Sequence, residues 1–432
     1  MTEVRTGPVL PLLALAACAS VDAARRPNVV LVLADDVGIE AFGCYGGTSY
    51  DTPRLDALAA EGMRFTHVYS QTLCTPSRVK LLTGRSNLRN YVRFSILRPG
   101  ERTLAHVARD AGYATAAAGK WQLLGADVYE EWAGRGTGPG EAGLDRWCLW
   151  QVGTLGSRYW DPTVEVDGEL RPELEGEYGP DLFCEYLLDF VSEQRDEPFL
   201  AFYPMALVHA PFTHTPASAE GELSKEERFA DMVAYMDAIV GRIEDRLDEL
   251  GLREDTLLLF LSDNGTDRAI RSRMGEREVA GGKAHSTDAG TRVPLIASWP
   301  GKIAAGSVCD DLIDLSDFLP TLAEVMGAEP PGGLDGRSFL PQLQGREGDP
   351  RDVIAIYSNP RPPGTDRNPR VCFARDRRYK LYDDGRLFDT VLDPGEESPL
   401  DSTRPDAPTR SVLARLQRAL DDLPDEPTHL RE

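Results

Sequence analysis

The sequence predicts an α/β protein. Its main body is a large, doubly wound, mostly parallel sheet flanked by helices. A smaller C-terminal subdomain of antiparallel sheet plus helix is attached to it. Two runs, Asn28-Val29-Val30-Leu31-Val32-Leu33 and Thr256-Leu257-Leu258-Leu259-Phe260-Leu261, are almost wholly apolar, the mark of strands buried on both faces. Such runs alternate with helix-patterned segments between residues 28 and 297. The character changes at Pro330-Pro331-Gly332-Gly333, beyond which the strand-like runs are shorter and more polar.

In chain order, Thr52-Pro53 opens a helix that stops at Gly62, and residues 63–69 read as a strand. Residues 103–111 form a helix ended by Gly112, and residues 113–118 a strand. Residues 199–203 are a further strand. Residues 229–250 are a long helix with an apolar stripe through Ala234, Ile239, Ile243, Leu247 and Leu250. Residues 293–297 are another buried strand. In the C-terminal unit, strands are expected at 353–357, 371–374, 379–382 and 386–388, followed by an amphipathic helix at 409–423. There is no internal repeat. The expected organisation is a signal segment over 1–25, a main α/β domain over 26–345 and a C-terminal subdomain over 346–432.

The chain has 432 residues and a formal net charge of -23, so nucleic acid and anionic membranes are excluded as main partners. Any anionic substrate then needs a local cationic pocket. The seven cysteines are widely spaced with no CxxC, which argues against a zinc site or a dense disulfide framework. A Cys148–Cys184 bridge stays open. At the N-terminus, Arg5 precedes an apolar run from Val9 to Ala17, too short to span a bilayer and suited to a signal peptide. Leu15-Ala16-Ala17-Cys18 resembles a bacterial lipoprotein processing site, with Cys18 lipidated; cleavage near Ala23-Ala24 is the other reading. Both imply export, to the bacterial periplasm, to the outer membrane as a lipoprotein, or to the medium. The only membrane contact expected is that lipid anchor.

Ligands bind outside the carboxyl ends of strands in an open α/β sheet. The first strand runs into Asp35-Asp36, and the strand at 256–261 runs into Ser262-Asp263-Asn264-Gly265. Three carboxylates and an amide make a set of hard oxygen donors suited to Ca²⁺ or Mg²⁺. Taken singly, each pair reads as ordinary loop and cap residues. Gly119-Lys120-Trp121 follows a further strand, His209-Ala210-Pro211 follows another, and Lys283 sits in Gly281-Gly282-Lys283. A lone Lys or His is more often a surface or packing residue, so their shared position at strand ends is the signal.

Residues 74–78 read Cys-Thr-Pro-Ser-Arg, followed by Val79-Lys80-Leu81-Leu82-Thr83-Gly84-Arg85. The pattern places Cys74 just before a short helix capped by Thr75, started by Pro76 and ended by Gly84. Such an N-terminus favours an anion. Alone, Cys74 would read as a buried structural thiol.

With these residues in view, the chain resembles the sulfatase family of the alkaline-phosphatase-like superfamily, over nearly all of its length. The most specific motif is Cys74-Thr75-Pro76-Ser77-Arg78 with Leu82-Thr83-Gly84-Arg85. Support comes from Asn28 through Asp36 with Gly38, Gly119-Lys120-Trp121, Ser262-Asp263-Asn264-Gly265, and Arg292-Val293-Pro294-Leu295 with Trp299-Pro300-Gly301. Asp335-Gly336-Arg337-Ser338-Phe339-Leu340, Tyr379-Lys380-Leu381 and Asp393-Pro394-Gly395-Glu396 extend the match.

The resemblance implies a sulfuric ester hydrolase in which a maturation enzyme oxidises Cys74 to formylglycine. It implies Ca²⁺, ahead of Mg²⁺, held by Asp35, Asp36, Asp263, Asn264 and the modified Cys74. Arg78 would hold the formylglycine, Lys120 and Lys283 would grip sulfate oxygens, and His209 would protonate the leaving alcohol. Lys283 is matched through its spacing to Asp288. One hydroxyl of the hydrated aldehyde would attack sulfur, and the other would then expel sulfate and re-form the aldehyde. The implied substrate is a sulfated small molecule or glycan, with a sulfated polysaccharide favoured.

The chain departs from the family where Gly-Lys-Trp-His-Leu-Gly becomes Gly119-Lys120-Trp121-Gln122-Leu123-Leu124. An amide can hydrogen-bond but cannot take a proton charge. The usual Glu-Gly-Gly is Asp288-Ala289-Gly290. His214 and His285 have no clear counterpart and read either as ordinary polar residues or as replacements for the missing histidine. Two rival readings remain: a phosphonate or phosphate ester hydrolase on the same scaffold, and a catalytically silent protein that binds sulfated glycans. The aromatic segment from Trp147 to Asp161 suits sugar stacking or plain packing.

Overall fold

The computed structural model describes residues 25–151, 153, 155–218, 221–360, 370–402 and 406–424. The expected signal segment, with Cys18, lies outside them apart from Arg25. The strands run β1 (Asn28–Ala34), β2 (Met63–Tyr69), β3 (Ala114–Trp121), β4 (Arg146–Gln151), β5 (Val164–Val166), β6 (Glu169–Arg171), β7 (Phe199–Pro204) and β8 (Thr256–Ser262). A hairpin of β9 (Arg271–Met274) and β10 (Arg277–Ala280) stands apart, and β11 (Arg292–Val293), β12 (Leu295–Ser298) and β13 (Ser307–Asp314) return to the large sheet. The order across that sheet is β11-β2-β12-β8-β1-β7-β3-β4-β5-β6, with β13 beside β2.

The centre, β8-β1-β7-β3-β4, is parallel, while β12 runs antiparallel to both β8 and β2. Val29, Leu31 and Leu33 of β1 enter one core, and Val30, Val32 and Ala34 enter the other. Side chains alternate along a strand, so a run that is apolar at every position must be covered on both faces. Each buried Leu or Val contributes about 1.5–3 kcal/mol. The helix Lys225–Glu249 covers one face. It begins with a capping box in which Ser224 Oγ accepts from the Glu227 N–H and Glu227 Oε2 accepts from the Ser224 N–H.

A second sheet, β14 (Ile354–Ser358), β15 (Val371–Arg375), β16 (Tyr379–Tyr382) and β17 (Leu387–Asp389), is antiparallel throughout. One of its faces packs Ala374, Leu381 and Leu387 against Leu416 of the helix Ala407–Asp421. The other packs Phe373, Tyr382 and Phe388 against Tyr69 and Leu312 of the large sheet. The small sheet is thus sandwiched between its own helix and the main body.

Several local expectations change. The strand at 293–297 divides at Pro294, which has no N–H for the ladder. β3 runs on to Trp121, so Lys120 lies within the strand rather than after it. The helix Cys74–Thr83 includes Cys74 as its first residue, with Leu73 at the N-cap position. Thr75 does not cap it; the Thr75 hydroxyl accepts from the Ser95 N–H. Gly84 does end it, in the left-handed region at φ 64°. The hairpin β9–β10, strands β4 to β6 and the helix Gly179–Glu193 escape the sequence pattern because they are mixed in polarity or open on Gly-Pro. Among the described residues every cysteine is a free thiol, Cys148 and Cys184 included. No helix among them is long and apolar enough to cross a membrane.

Candidate active site

Parallel pairing of β1 and β8 sets Ala34 opposite Ser262, so the next residues of each strand emerge side by side. Asp35, Asp36, Asp263 and Asn264 therefore meet at one sheet end, all fully buried. The Asp263 N–H donates to the Ala34 carbonyl at 3.1 Å, tying the two loops together. Asn264 Nδ2 donates to Asp36 Oδ1 at 2.8 Å, which turns the amide oxygen the other way. Gly265 allows this close approach: a Cβ there would lie 1.8 Å from the Ala289 carbonyl oxygen.

Cys74 enters from the N-terminal end of its helix and is 1% exposed. Its sulfur and carboxylate oxygens of Asp35 and Asp263 all lie within 4.8 Å of one another. The thiol stands where an aldehyde oxygen would be after oxidation. One turn on, Arg78 donates through Nε and Nη2 to Asp263 Oδ2 at 3.1 and 2.9 Å, and through Nη1 to the Lys120 carbonyl at 3.0 Å. This fork fixes the guanidinium between two strands. Lys120, 2% exposed, donates to Asp35. Lys120 reaches the site because Gly119, at φ 127°, lets β3 pass against β7: a Cβ at 119 would lie 2.0 Å from the Pro204 carbonyl oxygen.

The remaining two residues close the open side. Lys283 donates to Asp36, and its Nζ lies 3.0 Å from His209 Nε2. His209 Nε2 is also 3.5 Å from Asp36 Oδ2. The site residues read from the sequence are thus gathered in one place. His214 and His285 are not part of that cluster. His214 stacks on Trp160 with ring centroids 4.9 Å apart, and His285 lines a separate cavity.

Charge in this buried cluster is strongly perturbed. Burial works to raise the Asp35 carboxyl, but Lys120, His209 and Arg78 outweigh it and hold the group well below the usual range. Burial, then the charge of Asp35, pushes Asp263 up to about 7 despite Arg78. Burial pushes His209 down to about 3, opposed by Asp36 and reinforced by Lys120. Burial also raises the Cys74 thiol, although Lys120 opposes it. As a thiol, Cys74 is a poor nucleophile in this setting.

The donor set fits a hard divalent cation. Asp35 Oδ1 and Asn264 Oδ1 are buried acceptors without a hydrogen-bond partner. A buried acceptor left so costs about 1–3 kcal/mol, and a cation between them would satisfy both.

Arg158 escapes sequence reasoning. Its Nη2 lies 2.7 Å from His209 Nδ1, and its guanidinium rests over Trp150 at 4.8 Å and Tyr159 at 5.2 Å. The one available signal was the aromatic segment around it, part of which proves to be the clamp on this arginine.

The family model for Sulfatase matches residues 27–328. The chain belongs to the sulfatase family. A second model, described as N-sulphoglucosamine sulphohydrolase, C-terminal, matches residues 282–426. Human arylsulfatase A is 34% identical over 89% of this chain and 80% of its own length. N-acetylgalactosamine-6-sulfatase of Rattus norvegicus is 32% identical over 78% of this chain and 70% of its own. The sulfatase is accordingly a sulfuric ester hydrolase. Its fold matches the solved structure of BT4656 in complex with its substrate D-glucosamine-2-N,6-O-disulfate, at TM-score 0.76 and 21% identity over 93% of this chain and 100% of that one. It also matches the phosphonate monoester hydrolase of Agrobacterium radiobacter, at TM-score 0.66 and 20% identity over 91% of this chain and 95% of that one.

Proposed function

We propose that this sulfatase removes sulfate from a sulfated carbohydrate, using a formylglycine made from Cys74 and a Ca²⁺ held by Asp35, Asp36, Asp263 and Asn264. The observation that carries the reading is the approach of Cys74 to Asp35 and Asp263 within 4.8 Å, at the N-terminal end of a helix and beside three cationic side chains. The hydrated aldehyde supplies a hydroxyl that attacks sulfur and a second that expels sulfate, while Ca²⁺ supplies positive charge at the same point.

The chain's own residues do the rest. Arg78 is immobilised by Asp263 and the Lys120 carbonyl, so it meets developing negative charge without reorganising. Lys120 and Lys283 present ammonium groups to sulfate oxygens. His209 faces the leaving oxygen through Nε2. Alone in the buried site its ring is neutral, but an anionic ester beside it acts in the same direction as Asp36 and favours the charged ring. The proton is then present when the ester is.

The carbohydrate assignment is supported by relatives whose names specify sulfated amino sugars. The leader pattern around Cys18 supports export. The unit over 346–432 is proposed as a separate subdomain that covers the catalytic domain of 26–345. The fold shared with a phosphonate monoester hydrolase supports one rival reading. Mass spectrometry of the peptide carrying residue 74, together with rates on aryl sulfate and aryl phosphonate, tests all of this. An aldehyde at 74 and faster sulfate turnover are expected. Active protein with an unmodified thiol would refute the formylglycine route, and faster phosphonate turnover the sulfate preference.

A further inference from the structure

A cavity of about 750 Å³ lies between the β9–β10 hairpin, the loop that carries Lys283 and the C-terminal sheet. That volume is in the range of small-ligand sites. It contains none of the metal-type residues, but it shares two segments with the active site. Ile39 and Glu40 line it just after Asp36, and Gly282 and His285 line it on either side of Lys283. Five arginines also line it: Arg268, Arg271, Arg277, Arg292 and Arg377. In a chain with net charge -23 this concentration of cations is a local exception.

Carboxylates are present too, and they are largely accounted for. Glu278 lies 3.7 Å from Arg271, and Asp288 is taken by Arg375 and Arg292. Glu40 is 1% exposed, and burial raises its carboxyl towards the neutral form. Glu397 remains on the C-terminal wall. Among the described residues Arg268, Arg277 and Arg377 make no ion pair, and each is exposed. The imidazoles in the walls register the field. Burial and then Arg292 and Arg375 push His67 down to about 4, and burial and then Arg268 lower His285. Val279 and Val391 supply apolar wall between the cations.

We infer that this cavity is a second anion subsite, which holds a further sulfate or carboxylate group of a multiply charged oligosaccharide. The inference rests on the sulfated-glycan reading and extends it: the substrate is polyanionic, not a singly sulfated small molecule. Guanidinium groups suit sulfate and carboxylate through paired N–H donors. None of Cys74, Arg78, Lys120, His209 and Lys283 lines the subsite, so it acts on affinity for the glycan and leaves the chemistry at Cys74 alone.

The test uses full-length Cys74→Ala protein, which binds without turnover, and calorimetric titration with a heparin hexasaccharide and its desulfated counterpart. The sulfated form should bind more tightly than the desulfated form, which keeps only its uronate carboxylates, and Arg268→Gln/Arg377→Gln should weaken binding of the sulfated form by about tenfold at low salt. In mature protein without the Cys74→Ala substitution, the same two substitutions should leave kcat/KM for a small aryl sulfate within about twofold. Unchanged hexasaccharide affinity in the double variant, absent binding, or equally tight binding of a DNA oligonucleotide of the same charge overturns the inference. Absent turnover of aryl sulfates by mature protein, with hexasaccharide binding intact and arginine-dependent, overturns the sulfatase mechanism and leaves the subsite standing.

Discussion

Lys283 Nζ lies 3.0 Å from His209 Nε2, with Asp36 bound to the lysine and 3.5 Å from the same ring nitrogen. Two full positive charges at that spacing repel by about 5 kcal/mol at an effective dielectric of 20. Asp36 faces both as their shared counter-charge. With Asp36 beside it Lys283 is held in its charged form, and burial keeps His209 neutral.

If His209 protonates the leaving oxygen, its removal should matter most where that oxygen is most basic. His209→Ala should lower kcat on alkyl or sugar sulfates by about 10²–10⁴-fold. The loss on a nitrophenyl sulfate should be much smaller, because that leaving group departs without a proton. Rates over a series of leaving groups check this, and equal losses across the series would contradict the role.

If a cation binds at the unpartnered oxygens of Asp35 and Asn264, it adds stability as well as positive charge for catalysis. Chelation should lower both activity and melting temperature, and added Ca²⁺ should restore both. At a hundredfold excess over Kd the gain is about 2.7 kcal/mol. Asn264→Ala should abolish the Ca²⁺-dependent rise in melting temperature; a rise as large as in the parent protein would remove Asn264 from the ligand set.

Gln122 is 2% exposed, and its Oε1 is a buried acceptor without a partner. Gln122→Leu removes that uncompensated group, so thermal stability should stay level or rise by about 1 kcal/mol. Turnover should fall if the amide stands in for the family histidine. A melting curve and kcat on one aryl sulfate separate the two effects, and a variant as active as its parent would make Gln122 a packing residue.

Glu244 supplies a pH dependence remote from the site. Burial raises its carboxyl from 4.5 to about 7, although Arg253 and Arg54 oppose the shift. A raised folded-state value means that the folded chain binds this proton more tightly than the unfolded one. Its contribution is full below about 4.5 and is lost as pH rises through about 7. The amount is on the order of 2 kcal/mol. Glu244→Gln should flatten that part of the stability profile between pH 5 and pH 8 by about this amount, as read from urea denaturation. A profile parallel to the parent's would assign the slope to other groups.

The reach of sequence reasoning followed the physics of each element. β1 and β8 were readable because burial on both faces demands an unbroken apolar run. The hairpin β9–β10 was not, because its exposed residues carry no periodic signal. Asp35, Asp36, Asp263 and Asn264 were readable because they directly follow such runs. Arg158 was not, because the aromatic residues that clamp it, Trp150 and Tyr159, are local, while His209, which it meets, is distant in sequence.

By itself the sequence determined the strand-and-helix alternation, the family through the motif at Cys74, and the chemical identity of the site residues. These are encoded locally, in runs and spacings. Only the tertiary structure decided which charges neutralise one another, that Cys148 and Cys184 stay apart, that His214 and His285 lie outside the catalytic cluster, and that arginines from distant segments line one cavity beside Lys283. Pairing and burial are set by distance in space, and residues far apart in the chain carry no mark of it until the sheet registers and the small C-terminal sheet bring them together.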